Sequence, residues 1–173
     1  HQMMADVIIH FLELVYANLE HEREQDNDMP APITQNAYEH STRWQNNNYD
    51  PVTDGFVRDD TPQNDIREIF RKGWTASEKG ANITFEVEGS CLAVQYRKSV
   101  VQPTPIAKAI VDGDEEHAML LDGNFEETWG DSLHLDTLAE HLPYGKHTVR
   151  IELIETHEDD KVPFYLVSVI ASH

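Results

Sequence analysis

From Gly73 onward the hydrophobic residues recur at every second position, in runs too short for helices and closed by turns bearing Gly and Asp. Successive side chains of a strand point to opposite faces, so this period marks half-buried β-structure. Ile83, Phe85 and Val87 alternate with polar residues. After Glu88-Gly89-Ser90 the pattern resumes at Leu92, Val94 and Tyr96, which reads as a hairpin. Further strands are predicted over 106–111, ending at Asp112-Gly113, over 117–121, ending at Asp122-Gly123, and over 132–137. Two more, at 147–154 and 164–170, follow the turn Pro143-Tyr144-Gly145. About seven short strands with no helix-length segment between them predict a mainly β fold, an antiparallel jelly-roll-like sandwich.

Upstream the period changes. Met4, Ile8, Phe11, Val15 and Leu19 form a helical stripe, widened by Val7, Leu12 and Leu14. An isolated helix of this length is marginal in water, so the stripe needs a surface to lie on. Either it packs on the rest of the chain or it is the tail of a domain missing from it; the second is the expectation. Residues 23–65 are polar and poor in aliphatics, with Pro-Ala-Pro at 30–32, three Asn at 46–48 and Asp-Pro at 50–51. That composition predicts a long irregular linker. Its rings, Tyr38, Trp44, Tyr49 and Phe56, would pin it as a strap to a neighbouring body. One or two helical turns are expected over 65–71, with Ile66, Ile69 and Phe70 inward. The organisation expected is an amphipathic helix at 1–22, a strap at 23–65 and a sandwich domain at 66–173.

Charge narrows the function classes. Lys and Arg number 13 against 32 Asp and Glu, a formal net charge of −19. Such a field repels nucleic-acid backbones and anionic lipid surfaces, which argues against both as partners. No apolar run approaches the roughly 18 residues of a membrane span, and no signal-peptide pattern opens the chain. Cys91 is the single cysteine, so an internal disulfide and a thiolate metal cluster are ruled out. Ser41, Ser77, Ser90, Ser99, Ser132, Ser168 and Ser172 all lie outside Gly-x-Ser-x-Gly and Gly-Asp-Ser patterns, so nothing presents one of them as a nucleophile. Of ten histidines, His117, His134, His141, His147 and His157 follow no ligand spacing and read as surface imidazoles. Asp112, Asp114, Glu115 and Glu116 at one turn, and Asp159 and Asp160 at another, offer oxygen ligands to calcium without the EF-hand order; charge runs at turns are usually just solvated, and no cofactor is expected.

Acidity suits a protein that handles neutral polymers. Sugar binding needs flat apolar platforms for the pyranose face, with carboxylates or amides for the hydroxyls. Trp44, Trp74, Trp129 and Tyr144 supply rings. Trp129 stands out, in the polar run Glu126-Glu127-Thr128-Trp129-Gly130-Asp131 just before a strand. The candidate platform is therefore Trp129, Asp131, Trp74 and Tyr144. The competing reading has Trp129 and Trp74 plugging the ends of the sandwich and Trp44 pinning the strap.

Two stretches resemble one family. His1-Gln2-Met3-Met4-Ala5-Asp6-Val7-Ile8-Ile9-His10 is similar to the end of an SGNH (GDSL-type) hydrolase domain. There a catalytic Asp-x-x-His block is followed by a Gly-His pair and a closing helix, and His1 would match the His of that pair. Gly73-Trp74, the run from Ile83 to Gly89, Ala109-Ile110-Val111-Asp112-Gly113 and Gly145-Lys146-His147-Thr148-Val149 resemble the β-sandwich accessory domains attached to such esterases. The resemblance implies that the catalytic Ser, the oxyanion donors and the Asp-x-x-His block all precede His1, so no catalytic residue carries over to this chain. It implies a non-catalytic accessory module that supports an SGNH catalytic domain missing from the chain and helps present a polysaccharide. The alternatives are a stand-alone carbohydrate-binding module, and a structural domain that forms homo-oligomers through Met4, Ile8, Phe11 and Val15.

Overall fold

In the strand β5 (Asn82–Gly89) Ile83, Phe85 and Val87 are buried while Glu86 and Glu88 are exposed, as a period of two requires. The computed structural model describes residues 2–18, 36, 38–63, 69–127 and 129–173, and builds a two-sheet sandwich within the unit 36–173. Three short strands come first, β1 (Thr42–Trp44), β2 (Val52–Asp54) and β3 (Val57–Asp59), followed by β4 (Gly73–Ala76) and β5. Then come β6 (Cys91–Lys98), β7 (Ile106–Val111), β8 (Met119–Asp122), β9 (Ser132–Ala139), β10 (Gly145–Glu155) and β11 (Phe164–Ser172). One sheet has the order β3-β4-β11-β6-β9, with β1 also on β11; the other runs β2-β5-β10-β7-β8. Every strand ladder is antiparallel. The mainly β sandwich expected from the alternation is the fold observed.

The two inner faces close on one core. Phe85 stands edge-on to Trp74 at 5.2 Å between ring centres, and Tyr96 stacks on Phe164 at 5.8 Å. Val149, Ile151, Leu153, Leu166 and Val169 fill the space between them. Burying each such side chain is worth about 1.5–3 kcal/mol, so this layer supplies most of what holds the sheets together. β11 is buried on both faces. Its outward Tyr165 and Val167 form a second cluster with Phe70, against Leu133.

Three expectations change. The strands around Glu88-Gly89-Ser90 are not a hairpin: β5 pairs with β2 and β10, and β6 pairs with β9 and β11 in the opposite sheet. The chain turns a corner there against the end of β11. A Cβ on Gly89 would come within 2.9 Å of the Ser172 carbonyl, and the Ser90 amide donates to that same oxygen. Second, residues 42–59 are not wholly irregular, since β1, β2 and β3 join the two sheets. Trp44, Tyr49 and Phe56 do meet the core, whereas Tyr38 is exposed, its hydroxyl donating to Glu140. Third, Ile69 is exposed while Phe70 is buried; Ile66 lies outside the described residues.

The helix α1 (Gln2–Asn18) has no buried residue. Met4, Val7, Ile8, Phe11, Leu12, Leu14 and Val15 are all exposed on it. Among the described residues no helix is long and apolar enough to cross a membrane.

Candidate functional site

Two loops meet beyond the ends of β6 and β8, and they carry Trp129. The 99–105 and 123–127 segments run side by side, with the Ser99 amide donating to the Gly123 carbonyl and the Phe125 amide donating to the Ser99 carbonyl. Asn124 locks them. Its Oδ1 accepts from the Thr104 amide at 3.0 Å, and its Nδ2 donates to Asp122 and to the Thr104 carbonyl. Gly123 permits the close approach, because a Cβ there would lie 2.8 Å from the Pro105 carbonyl oxygen and from Thr104 Oγ1.

Trp129 is 72% exposed, and its ring stands perpendicular to Phe125 with 5.7 Å between centres. Phe125 thus props a flat apolar surface that remains open to solvent, the surface a pyranose ring stacks on. Asp131 is committed elsewhere. Its Oδ1 accepts from Ser99 Oγ at 2.8 Å and from the Val100 amide at 3.1 Å, and Arg97 Nε lies 3.9 Å from Oδ2. The carboxylate therefore holds the loops together, and its bonding capacity points into the protein.

The other two members of the expected platform are not beside Trp129. Trp74 is 1% exposed in the core, where no ligand reaches either ring face, so its candidacy as a platform is withdrawn. Gly73-Trp74-Thr75-Ala76 is a strand that turns Trp74 and Ala76 inward, and that small alternation was the available signal. Tyr144 precedes β10 at the opposite end of β9 from Trp129. It is exposed, tilted against His173 at 4.8 Å, and bonded through its hydroxyl to Glu88, which raises its pKa. The ring that sequence reasoning missed is Phe125, which carries no pattern of its own.

No family model matches the sequence, and no curated protein does. Two crystal structures of a two-domain esterase (CEX) active on acetylated mannans do. One superimposes with a TM-score of 0.89 and the other, co-crystallized with mannopentaose, with 0.86. Each is 53% identical over 99% of this chain. The chain matches the C-terminal β-sandwich accessory domain. It spans 45% and 46% of the lengths of those two esterase chains.

In the accessory domain four of the six carboxylates that calcium would draw on, Asp112, Asp114, Glu115 and Asp160, have protein partners. Asp114 bonds the His117 ring and the amides of Glu116 and His117, Glu115 pairs with Lys108, and Asp160 holds His157. Asp112 binds His147. Nδ1 of His147 is 2.7 Å from Asp112 Oδ2, and Nε2 is 3.0 Å from the Pro143 carbonyl. Both partners are acceptors, so both ring nitrogens must donate, which only the imidazolium does. The Asp112 bond, ahead of opposing burial, raises the pKa of His147 above the ordinary 6.5. Burial pushes Asp112 upward, but bonds from His147 and Thr148 outweigh it and leave its pKa below 3.8.

These shifts have opposite signs in stability. The His147 contribution is complete below pH 6.5 and is lost as pH rises through its raised value. The Asp112 contribution is complete above pH 3.8 and is lost as pH falls through its depressed value. The excess stability of the parent chain over His147→Asn is expected to peak between 3.8 and 6.5 and shrink on both sides. Urea midpoints measured across that range check it; an excess that stays flat into alkaline solution rules out the charged pair.

Proposed function

We propose that this chain is the accessory domain of an SGNH-type carbohydrate esterase, supporting a catalytic domain in a longer polypeptide and contributing weak affinity for mannan-type glycans. The 53% identity with the two-domain esterase active on acetylated mannans carries this reading. Two further features support it. The opening helix resembles the closing helix of an SGNH domain, and its apolar side chains are exposed as a segment shaped for a companion domain would be. On the sandwich, Trp129 offers an open ring on a loop fixed by hydrogen bonds, so little ordering entropy opposes stacking on a sugar. Glu126 and Glu127, exposed beside it, supply acceptors for hydroxyls. Chemistry on the ester would fall to the catalytic domain; the accessory domain holds the chain of sugars.

Calorimetric titration of the full chain with mannopentaose tests the glycan part. Trp129→Ala is expected to weaken binding at least about tenfold, or ~1.4 kcal/mol. Its thermal midpoint should stay that of the parent, because an exposed ring contributes little to folding. Affinity unchanged by the substitution would move the glycan surface away from this loop. The exposed apolar face of α1 favours a second reading, a module whose task is assembly alone. Light scattering of the chain separates the two: a stable homodimer dispersed by Phe11→Glu, together with silence toward mannans, supports assembly.

A further inference from the structure

Arginines in an acidic protein find carboxylates easily. Arg58 meets Asp60, Arg97 meets Asp131, and Arg150 meets Glu152 and Glu115. Arg43 does not. Its Nε donates to the hydroxyl of Ser168 at 3.0 Å, and that hydroxyl, fully buried, donates onward to Gln95 Oε1 at 2.8 Å. Among the described residues no carboxylate stands within ion-pair distance of Arg43, nor of Lys72. Loss of hydration lowers the pKa of Arg43, a shift that a neighbouring carboxylate would oppose. Arg43 is exposed on β1, so its terminal nitrogens face solvent with no carboxylate among the described residues to occupy them.

The surroundings have the build of a binding site. Arg43, Gln45, Ile69, Arg71 and Lys72 line a cavity of about 260 Å³ beside β1. That is near the lower end of the roughly 300–1,000 Å³ of small-molecule sites, a size for one substituted group and not for a polymer. Its two walls are stapled together. The Gln45 amide side chain donates to the Arg71 carbonyl, the Asn46 backbone amide to the Lys72 carbonyl, and Asn46 Nδ2 to the carbonyls of Gly73 and Asp59. Lys72 adopts φ +60°, a left-handed conformation that a lysine takes at a cost and that recurs at ligand sites.

We infer that the pocket of Arg43, Gln45, Arg71 and Lys72 is a site for a tetrahedral oxyanion, a phosphate or sulfate group, free or carried on a sugar. Donors arrive from separate elements, Arg43 from β1 and Lys72 from the turn before β4, as a group with several anionic oxygens requires. The Ser168 hydroxyl fixes the Nε side of Arg43 and leaves its terminal nitrogens for the ligand. A net charge of −19 turns polyanions away at long range, while a single anionic group is held by contacts that act at hydrogen-bond distance. The inference is independent of the Trp129 loop.

Amide-shift titrations of the full chain in chloride buffer, with inorganic phosphate, mannose 6-phosphate and mannose, test it. Both phosphate probes are expected to move the amides of residues 43–46 and 71–73, and mannose is not. Arg43→Gln should weaken phosphate binding about tenfold. Lys72→Gly, which suits the left-handed backbone and so keeps the fold, should weaken it in the same direction. Tighter binding of mannose 6-phosphate assigns the site to a sugar-borne group, and equal binding to the free anion. Absence of shifts at these amides up to about 10 mM phosphate, or shifts that persist in Arg43→Gln and Lys72→Gly, overturns it.

Discussion

Trp74→Ala is expected to lower the unfolding free energy of the accessory domain by about 3–5 kcal/mol, the range for deleting a large ring from a packed core. Trp74 is 1% exposed, edge-on to Phe85, and sits where β4 meets β11 beneath Phe56 and the inner faces of both sheets. β4 is only four residues long, so no other strand segment can close over the void. A loss of this size shifts the thermal midpoint of a domain of this length by roughly 10–20 °C. Trp74→Phe keeps part of the ring and should cost about 1–2 kcal/mol. Scanning calorimetry measures both. The contrast with Trp129→Ala is the decisive part: one tryptophan is expected to govern stability and the other mannopentaose affinity. A Trp74→Ala chain as stable as its parent would mean that the ring is not the centre of the core.

Why these two tryptophans looked alike beforehand is instructive. Alternation tells which face of a strand is buried, and it located the strands from β5 to β11; it does not tell which strand a given one pairs with. Gly89 therefore passed for a hairpin turn when it is a corner between sheets. Residues 42–59 escaped for a different reason: their burial is largely polar. Asn46 is 1% exposed, and its Nδ2 donates to the carbonyls of Asp59 and Gly73. The Tyr49 hydroxyl bonds both the carbonyl and the amide of Glu86, and its ring stacks on Phe85. A hydropathy pattern cannot register partners of that kind. Arg43 was invisible for the same cause, since its lack of a carboxylate partner among the described residues is a fact of three dimensions. The exposure of Trp129 was legible because it lies in a polar run, outside the alternation that buries a ring.

Asp131 shows how a residue beside a candidate site can serve it without touching a ligand. Asp131→Ala removes the acceptor from Ser99 Oγ and from the Val100 amide, with Ser99 1% exposed, and takes a carboxylate from Arg97. Arg97 keeps the Pro163 carbonyl and the face of Tyr165, so its loss is partial. Stranding buried donors costs about 1–3 kcal/mol, and removing one partner of a half-buried charged pair adds to it, for an expected loss of about 2–4 kcal/mol. Asp131→Asn retains an acceptor for Ser99 and Val100 and should lose roughly half as much. If the side chain clamps the loops, mannopentaose affinity falls in step with stability across the two variants, because the Trp129 ring is no longer held in place. If it instead touched sugar, both variants would lose binding while urea midpoints stayed at the parent value. Denaturation and calorimetric titration on the same three proteins separate these outcomes, and an unshifted midpoint in Asp131→Ala would remove the clamp.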